Sequence, residues 1–181
     1  GKGLSGGTIV VQPRNSFNKP SHENVIIGNV TLYGATSGKL YAAGQAGDRF
    51  CVRNSGADAI VEGCGYNGCE YMTGGSAIIL GDIGDNFGAG MTGGYAFVYS
   101  KQKNLFNLVN KESVGLYSVL DNNWQKHLLD QLKIFHKETG SVKALNIIEN
   151  FQSEVLKFIH IVPDEVKSKL LFSVESKDKI A

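Results

Sequence analysis

A glycine-punctuated repeat fills the first half of this chain and restricts the folds that it can adopt. Each copy begins with a small residue and a glycine, enters a short apolar run, turns at a glycine and continues into a second run that we expect to be extended. A looser copy begins at Ser5 and carries an insertion around RNSFNKPSHEN. Four tighter copies follow at a period of 18 to 19 residues, and they begin at Ser37, Ser55, Gly74 and Gly93. The repeat therefore predicts about five coils between Ser5 and Tyr99.

A repeat of this length cannot bury an apolar face alone and gains stability only by stacking on its neighbours. In such a stack each coil advances by about 4.8 Å, and each strand pairs in parallel with its equivalent in the next coil. Like residues should then form ladders, such as Met72 with Met91 and Gly74 with Gly93. Glycine suits the corners, where a Cβ would obstruct positive φ or close backbone approach. We expect a mainly β fold, a glycine-rich parallel β-solenoid, with structural positions at Gly28, Gly34, Gly38, Gly44, Gly47, Gly56, Gly63, Gly68, Gly74, Gly75, Gly81, Gly88, Gly93 and Gly94.

The sequence after Tyr99 predicts how one end of this stack is closed. The segment VGLYSVL, at 114–120, is typical of one more strand. Asp121 and Gly140 are typical caps at the two ends of a helix. Between them, an apolar residue recurs at helical spacing, at Trp124, Leu128, Leu132 and Phe135.

Two further helices are predicted in the tail. Ser141 would begin the second helix, and its apolar face would contain Leu145, Ile148, Phe151, Val155 and Phe158. Pro163 and Asp164 would begin a short third helix that runs toward Leu171. We therefore expect a β-solenoid over residues 1–120 and a helical tail packed on it over residues 121–181.

Composition excludes several classes of function. The chain has 18 basic and 17 acidic side chains, so bulk charge indicates neither nucleic-acid nor membrane binding. It has no apolar run of about 18 residues, and we expect a soluble chain. The chain begins at Gly1 without a methionine, and we expect it to be a piece of a longer polypeptide.

Several residues are candidate sites, and for each of them a structural role is the preferred interpretation. Gly63, Gly65 and Gly68 spell GxGxxG, but no helix is expected after them to receive a phosphate. Cys51, Cys64 and Cys69 are odd in number and have no CxxC spacing, so we expect neither a disulfide framework nor a zinc site. We expect Cys64 and Cys69 to be buried packing residues rather than reactive thiols. The carboxylates of the coils are expected on solvated faces or in corner hydrogen bonds, at Asp48, Asp58, Glu62, Glu70, Asp82 and Asp85.

Basic residues outside the insertion are the remaining candidates. Arg49 and Arg53 lie four residues apart on one predicted extended run and would form either an ion pair or an interdomain contact. The first tail helix would carry Lys126, His127, His136 and Lys137 on an exposed or interfacial face.

Long motif strings in this chain resemble one family. GKGLSGG, IIGNVTLYGATSG, AGDRFCVRNSGADAIVEGCG, GCEYMTGG, NFGAGMTGG, VNKESV and HKETGS occur here in the order in which they occur in the C-terminal GXGXG domain of the glutamate synthase large subunit. The resemblance covers nearly the whole chain. It implies a right-handed parallel β-helix within an enzyme that makes glutamate from glutamine and 2-oxoglutarate.

The resemblance also implies that the chemistry belongs to other domains. In that family an N-terminal cysteine releases ammonia from glutamine, and a synthase domain with FMN and an iron–sulfur cluster reduces the iminoglutarate. This chain has no matching catalytic, cofactor or metal residue, so it would be a spacer between the glutaminase and synthase domains. The cytoplasm, or a plastid in a eukaryote, is the implied compartment. Newly exposed walls would favour self-association of the isolated chain.

Three other classes remain open from the sequence. A stand-alone GXGXG subunit, such as the C subunit of formylmethanofuran dehydrogenase, would share the repeat but not the tail. A hexapeptide-repeat acyltransferase would explain Ile60, Tyr66, Met72 and Ile78, which fall six residues apart. A carbohydrate-active β-helix would need paired carboxylates on stacked coils.

Overall fold

The computed structural model describes residues 1–14, 16–99, 101–102, 104–175 and 178–180. Their strands form one seven-stranded and one two-stranded sheet. The strands are β1 (Ser5–Val11), β2 (Val25–Ile27), β3 (Ser37–Ala42), β4 (Gln45–Ala46), β5 (Ser55–Val61), β6 (Thr73–Ile79), β7 (Gly93–Tyr99), β8 (Val114–Ser118) and β9 (Phe158–Pro163). The α-helices are α1 (Leu105–Leu108), α2 (Asn122–Thr139), α3 (Val142–Glu149) and α4 (Phe151–Glu154), and 3₁₀ turns span Ser21–Glu23, Val155–Lys157 and Asp164–Lys169.

Five parallel strands form the stack that the repeat predicts. They lie side by side in the order β1, β3, β5, β6 and β7. One ladder across the stack runs Leu40, Ala59, Ala77 and Ala96. The adjacent ladder runs Tyr41, Ile60, Ile78 and Phe97. The predicted mainly β solenoid is therefore confirmed, with four turns between the first strand and the fifth.

A β-bulge near the start of the strands changes one predicted ladder. The register shifts between Thr73 and Ser76, and as a result Thr73 lies opposite Gly93. The predicted pairing of Gly74 with Gly93 is therefore wrong by one residue. Met72 and Met91 do lie in one core cluster.

The second run of each coil is not extended, contrary to expectation, apart from the short strand β4, which pairs with β2. In the later part of each coil, residues with a positive φ alternate with residues whose φ is negative. Glycine occupies three of these twelve positions, and residues with a Cβ occupy the other nine. The left-handed positions are 30, 32 and 34 in the first coil, 49, 51 and 53 in the second, 67, 69 and 71 in the third, and 86, 88 and 90 in the fourth. We call these stacked segments the left-handed ladder.

Hydrogen bonds between coils stabilise the left-handed ladder. The Arg49 N–H donates to the carbonyl of Tyr66 in the next coil at 2.8 Å. The Cys51 N–H donates to the carbonyl of Thr31 in the preceding coil at 2.9 Å. A left-handed conformation costs a residue with a Cβ about 1–2 kcal/mol, so these contacts on both sides must offset a repeated local cost.

Both faces of the main sheet are buried between β3 and β8, whereas the edge strand β1 is largely exposed. Leu40 and Ala42 point into the interior of the coils, where the first core cluster lies. Tyr41 and Ala43 point to the opposite face and pack under the tail helices in a second cluster. Burial on both faces explains why the strands read as continuous apolar runs rather than as alternating ones.

The first tail helix is confirmed by its caps. The Asp121 side chain accepts hydrogen bonds from the N–H groups of Asn123 and Trp124. Gly140 ends the helix with a φ of 65°. The side chains of Trp124, Leu128, Leu132 and Phe135 are all buried against the sheet. The segment predicted as one more strand is also confirmed, as β8.

The later tail differs from the two helices predicted for it. Ser141 does cap α3, but this helix ends at Glu149 and its buried residues are Ala144 and Ile147. Phe158 belongs to strand β9, which pairs antiparallel with both β7 and β8. The third segment is a 3₁₀ turn. The tail thus supplies strand β9 to the sheet as well as helices to its surface.

The six-residue series does not share one face of the coil. Ile60 and Ile78 pack under the tail helices, whereas Met72 lies in the coil interior. Tyr66 is exposed. The spacing of a hexapeptide repeat therefore has no counterpart in the packing.

Candidate functional site

The predicted structural glycines occur mainly where coils approach one another. A Cβ at Gly56 would overlap the carbonyl oxygen of Thr36, and a Cβ at Gly93 would overlap that of Thr73. Gly28 differs, because a Cβ there would meet no atom within 4 Å. A Cβ would also be in close contact with another atom at Gly38, Gly44, Gly47, Gly63, Gly68, Gly74, Gly75, Gly81 and Gly94. Gly34 and Gly88 have room for a Cβ, but their positive φ favours glycine.

The GxGxxG segment leads into the left-handed ladder of the third coil. A Cβ at Gly65 would overlap the carboxylate of Asp48, and a Cβ at Gly68 would meet the ring of Phe87 at 2.7 Å. The chain then passes through turns into strand β6. A dinucleotide site requires a helix to begin at this point, so these glycines serve the packing of the coils.

Asp48 belongs to a ladder of side chains at one corner of the coils. The Asn29 Oδ1 atom accepts a hydrogen bond of 2.9 Å from the Asp48 N–H, and the Asp48 Oδ1 atom accepts one of 2.9 Å from the Tyr66 N–H. Each side chain thereby satisfies a donor of the following coil. Asp48 has the predicted corner role.

The other carboxylates of the coils do not converge on one groove. Asp82 and Asp85 are exposed, and Glu70 is half-buried. Asp58 accepts a hydrogen bond of 2.6 Å from the Ser76 hydroxyl on the neighbouring strand. Glu62 departs furthest from expectation, because it is fully buried.

Glu62 joins three parts of the chain. The Ser21 hydroxyl donates to its Oε2 at 2.6 Å, and the Ser141 hydroxyl donates to its Oε1 at 2.5 Å. Ser141 also caps α3, where its oxygen accepts from the Ala144 N–H. The coil, the insertion and the tail helices therefore meet at one buried carboxylate. The sequence predicted the cap but gave no signal for its partner.

His127 lies against the outer wall of the sheet. Its Nε2 atom is 3.0 Å from the Tyr95 hydroxyl oxygen. Burial lowers the pKa of His127, and the charges of Asp58 and Asp130 oppose that effect. The other basic candidates of α2 differ, because Lys126 and Lys137 are exposed and the Nδ1 atom of His136 lies 2.9 Å from the carbonyl oxygen of Ser141.

His160 is a buried titratable group that sequence reasoning missed. Its ring stacks on Phe97 with centroids 4.3 Å apart and packs against Trp124 at 4.6 Å. Burial, aided by the charge of His127, lowers the pKa of His160 to about 3. The residue was missed because β9 was predicted as helix. Its alternation of histidine with β-branched residues, IHIV, was the available strand signal.

Asp58, Ser76, Tyr95 and His127 follow one another in space as the groups of a proton relay do. The pKa of Tyr95 does not suit such a relay. Burial, chiefly, raises the pKa of Tyr95 to about 12. An efficient general acid or base has a pKa near the working pH. Tyr95 therefore remains protonated at neutral pH, and the chain of hydrogen bonds is a structural contact between the solenoid and α2.

The three cysteines are free and buried, and burial was expected of Cys64 and Cys69. Burial raises the pKa of Cys64, and a hydrogen bond between the Cys69 and Cys51 thiols, together with burial, raises the pKa of Cys69. Raised values disfavour the thiolate that nucleophilic and metal-binding cysteines require. Within the described ranges, no group of three or more His, Cys, Asp or Glu side chains is arranged to hold a metal ion.

An exposed wall of tyrosine and arginine follows the left-handed ladder. The Arg53 guanidinium lies 5.9 Å from the ring centroid of Tyr33 and 6.0 Å from that of Tyr71. Arg49 and Tyr66 are exposed on the same ladder. We call Tyr33, Arg49, Arg53, Tyr66 and Tyr71 the Tyr–Arg wall. Among the residues that the structure describes, Arg53 therefore makes cation–π contacts rather than an ion pair, and both arginines stay accessible.

Comparison with known proteins finds sequences similar to this chain within much longer polypeptides. A family model described as the GXGXG motif matches residues 1–164. The chain is 45% identical over 178 residues to the glutamate synthase (NADPH) large chain of Bacillus subtilis strain 168, covering 98% of this chain and 12% of that protein. It is 53% identical over 170 residues to the glutamate synthase (NADPH) large chain of Azospirillum brasilense, covering 94% and 11%.

A third relative gives the same relation of lengths. The chain is 46% identical over 180 residues to the glutamate synthase (NADH) of Schizosaccharomyces pombe, covering 99% of this chain and 8% of that protein. The chain thus spans 8 to 12% of the length of these relatives. Among the described residues, no helix has the length and apolar character needed to cross a membrane.

Proposed function

Because this chain belongs to the GXGXG-motif family, we propose that it is a structural domain of a glutamate synthase large subunit. In this role it holds a glutaminase domain and a synthase domain at a fixed separation. Ammonia released from glutamine then reaches 2-oxoglutarate, and the whole polypeptide, an oxidoreductase, assimilates it into glutamate. Residues 1–120 act as the solenoid and residues 121–181 as its closing tail.

The continuous sheet is the observation that carries this proposal. Its seven strands lie side by side in the spatial order β1, β3, β5, β6, β7, β9 and β8, and every neighbouring pair is joined by hydrogen bonds. Beyond the exposed edge strand β1, both faces of this sheet are buried. An element bonded in this way resists bending along its axis, and a rigid spacer needs that property.

The Tyr–Arg wall supports docking rather than chemistry. Tyrosine and arginine are enriched at the centres of protein interfaces, where they contribute much of the binding free energy. Tyr66 and Tyr71 are 56% and 53% exposed in this chain. We assign this wall to contact with a neighbouring domain of the same polypeptide.

The cofactors of the parent enzyme do not fit the residues of this chain. An iron–sulfur cluster needs several thiolates that face one another in an accessible site. Cys51, Cys64 and Cys69 lie instead in the buried core of the coils. We therefore assign FMN and the iron–sulfur cluster to other parts of the polypeptide, which would work in the cytoplasm or in a plastid.

Assays on the isolated chain test the absence of catalysis. The 181-residue chain is expected to show no glutaminase activity, no reduction of 2-oxoglutarate and no binding of FMN. Circular dichroism should first establish that the chain is folded. Any of these activities above background would overturn the structural role.

A coupling assay on the full-length large subunit tests the spacer role. Arg53→Ala, which removes the cation–π contacts of the wall, should increase the ratio of glutamine hydrolysed to glutamate formed. Lys126→Ala provides the control, because Lys126 is exposed on α2, away from the wall. An unchanged ratio in both variants would contradict docking through this wall.

A further inference from the structure

The two ends of the coil stack differ in how the interior of the coils is covered. At the β7 end, Leu105, Leu108 and Val109 belong to the core cluster of the coils, and the Phe87 N–H donates to the carbonyl of Leu108 at 2.9 Å. At the β1 end, five apolar side chains pack against the same cluster but remain only partly buried. They are Leu4, Ile9, Val11, Ile26 and Ile27. We call the β1 end, with these five residues, the open end.

The two edges of the seven-stranded sheet differ in the same way. Strand β8 forms one edge, and the last described residues cover it, because the Ile180 N–H donates to the carbonyl of Leu116 at 2.8 Å. Lys179 forms an antiparallel β-bridge with Tyr117 beside this bond. Strand β1 forms the other edge, and no strand among the described residues pairs with its outer side. The open end therefore includes the uncovered edge of the sheet.

The register of β1 determines which of its backbone groups point outward. The Val11 carbonyl accepts a hydrogen bond of 2.9 Å from the Ala43 N–H, so the backbone groups of Val11 point toward β3. Successive residues of a strand direct these groups to opposite sides, and those of Thr8 and Val10 therefore point away from β3. Outside the sheet, neither residue makes a backbone hydrogen bond to any described residue. Two N–H groups and two carbonyl groups are thus available on this edge.

The sequence of β1 gives this edge little protection. Edge strands of natural proteins usually carry charged side chains, proline or bulges, which oppose pairing with another chain. The segment Ser5–Val11 has neither a charged residue nor a proline, and its Val10 side chain is 39% exposed. A β-bulge does shift the register between Ser5 and Thr8, but the register is regular from Thr8 to Val11. These last residues of β1 can therefore pair with a further strand.

We propose that the open end is a docking surface for a second copy of this chain, whose β1 pairs antiparallel with the β1 described here. A twofold axis at Ile9 would place Thr8 of each copy opposite Val10 of the other. Each of these two pairs would exchange two hydrogen bonds, so all the outward groups of both residues would be bonded. The same axis would bring the partly buried side chains of the two open ends together.

The covered edge at β8 limits this association to two chains. A head-to-tail assembly would need a free edge at β8, where Ile180 and Lys179 already lie. A head-to-head pair uses the open end of each copy and leaves no uncovered edge for a third chain. Closed pairs in which both copies use the same surface are the commonest form of oligomer. The partner that fits the open end is therefore this chain itself.

Sedimentation equilibrium of the 181-residue chain over a range of concentrations tests this proposal. Circular dichroism should first establish that the chain is folded. The mass should increase with concentration from the 19.5 kDa of one chain to twice that value and no further. Over the same range, hydrogen exchange should become slower at the amides of Thr8 and Val10. A chain that stays monomeric, or a dimer that leaves both amides unprotected, would overturn the proposal.

Two substitutions at the edge should weaken the dimer. Val10→Pro removes an outward N–H while keeping every bond to β3, and proline is tolerated on edge strands whose N–H faces solvent. The dissociation constant should increase by about tenfold or more, because two hydrogen bonds are lost in each dimer. Thr8→Lys should change it in the same direction, because a charge on an edge strand opposes pairing. Thr8 is exposed, so this second variant should fold as the unchanged chain does.

Leu171→Lys is the matched control. Leu171 is 66% exposed and lies near Gly94 of β7, away from the open end. This variant removes an exposed apolar side chain and adds the same charge, and it should dimerise as the unchanged chain does. Equal weakening by Thr8→Lys and Leu171→Lys would overturn the proposal, because the association would then be unspecific. The outcome is independent of the spacer role, which the coupling assay tests.

Discussion

The Ser141 hydroxyl oxygen lies 2.5 Å from the Glu62 carboxylate and ties the first tail corner to the coil stack. The same serine oxygen begins helix α3 by accepting the Ala144 N–H. One side chain thus both starts a helix and fixes the position of that helix on the solenoid. The partner carboxylate is fully buried, so the bond lies outside solvent screening.

Glu62→Ala should strongly destabilise the chain. It would leave the hydroxyls of Ser21 and Ser141 without their acceptor and would create a cavity, at a cost of about 2–4 kcal/mol in the free energy of unfolding. Urea denaturation measures this change. Glu149→Ala, on an exposed position of α3, is the control and should change stability by less than about 0.5 kcal/mol. Equal effects of the two substitutions would show that the hydrogen bonds of Glu62 to Ser21 and Ser141 do not stabilise the chain.

Gly93→Ala should be far more damaging than Gly28→Ala. The added methyl group would overlap the carbonyl oxygen of Thr73 at position 93, whereas it would meet open space at position 28. We expect a loss of about 3 kcal/mol or more for Gly93→Ala and at most about 0.5 kcal/mol for Gly28→Ala, measured by urea denaturation. Similar losses would mean that the close approach between coils is not what requires glycine.

Val30→Gly should stabilise the chain or leave it unchanged. Val30 has a φ of 61°, which is unfavourable for a β-branched residue, and its side chain is 38% exposed. Relief of the left-handed strain would stabilise the folded chain by about 1–2 kcal/mol. The lost burial of the valine side chain and the greater conformational freedom of glycine in the unfolded chain would offset part of this gain. Val25→Gly is the control, because Val25 is 65% exposed but lies in strand β2. Thermal denaturation should show a loss only for Val25→Gly; a larger loss at Val30 would contradict strain there.

His160 should make stability depend on pH in the acid range. The pKa of His160 is about 3 in the folded chain and about 6.5 in an unfolded one. Between these values the unfolded chain binds more protons, so stability increases with pH by up to about 1.4 kcal/mol per unit and is lost as the pH falls.

His160→Phe removes this titration and keeps an aromatic ring on Phe97. Urea denaturation at pH 5 and pH 7 should show a smaller difference in stability for this variant than for the unchanged chain. His22→Gln, on a partly exposed residue of the insertion, should keep the full difference. The same pH dependence in His160→Phe would place its origin in other groups.

Local signals in the sequence predicted the first strand of each coil, strand β8 and the first helix. Glycines at coil corners gave the period, and Asp121 and Gly140 gave both ends of α2. These features depend on residues close in sequence, whose backbone preferences act before any packing. The sequence analysis also placed Cys64 and Cys69 in the core, where they lie.

Other features depend on contacts between coils and could not be predicted from local preference. Val30 and Arg49 adopt left-handed conformations that neither residue favours alone. Glu62 and Ser141 are 79 positions apart, and no pattern in either segment indicates their bond. Strand β9 was missed for a different reason, because its apolar residues also fit the helical spacing of the preceding turn.

The parallel register of the stack makes the length of this solenoid a discrete quantity. Each added coil of 18 to 19 residues would move the strands beyond it by one strand spacing, about 4.8 Å, and would preserve every ladder. An insertion of any other length must leave the stack, as residues 16–24 do after β1. Adding or removing coils can therefore change the distance between two groups on its walls only in multiples of about 4.8 Å.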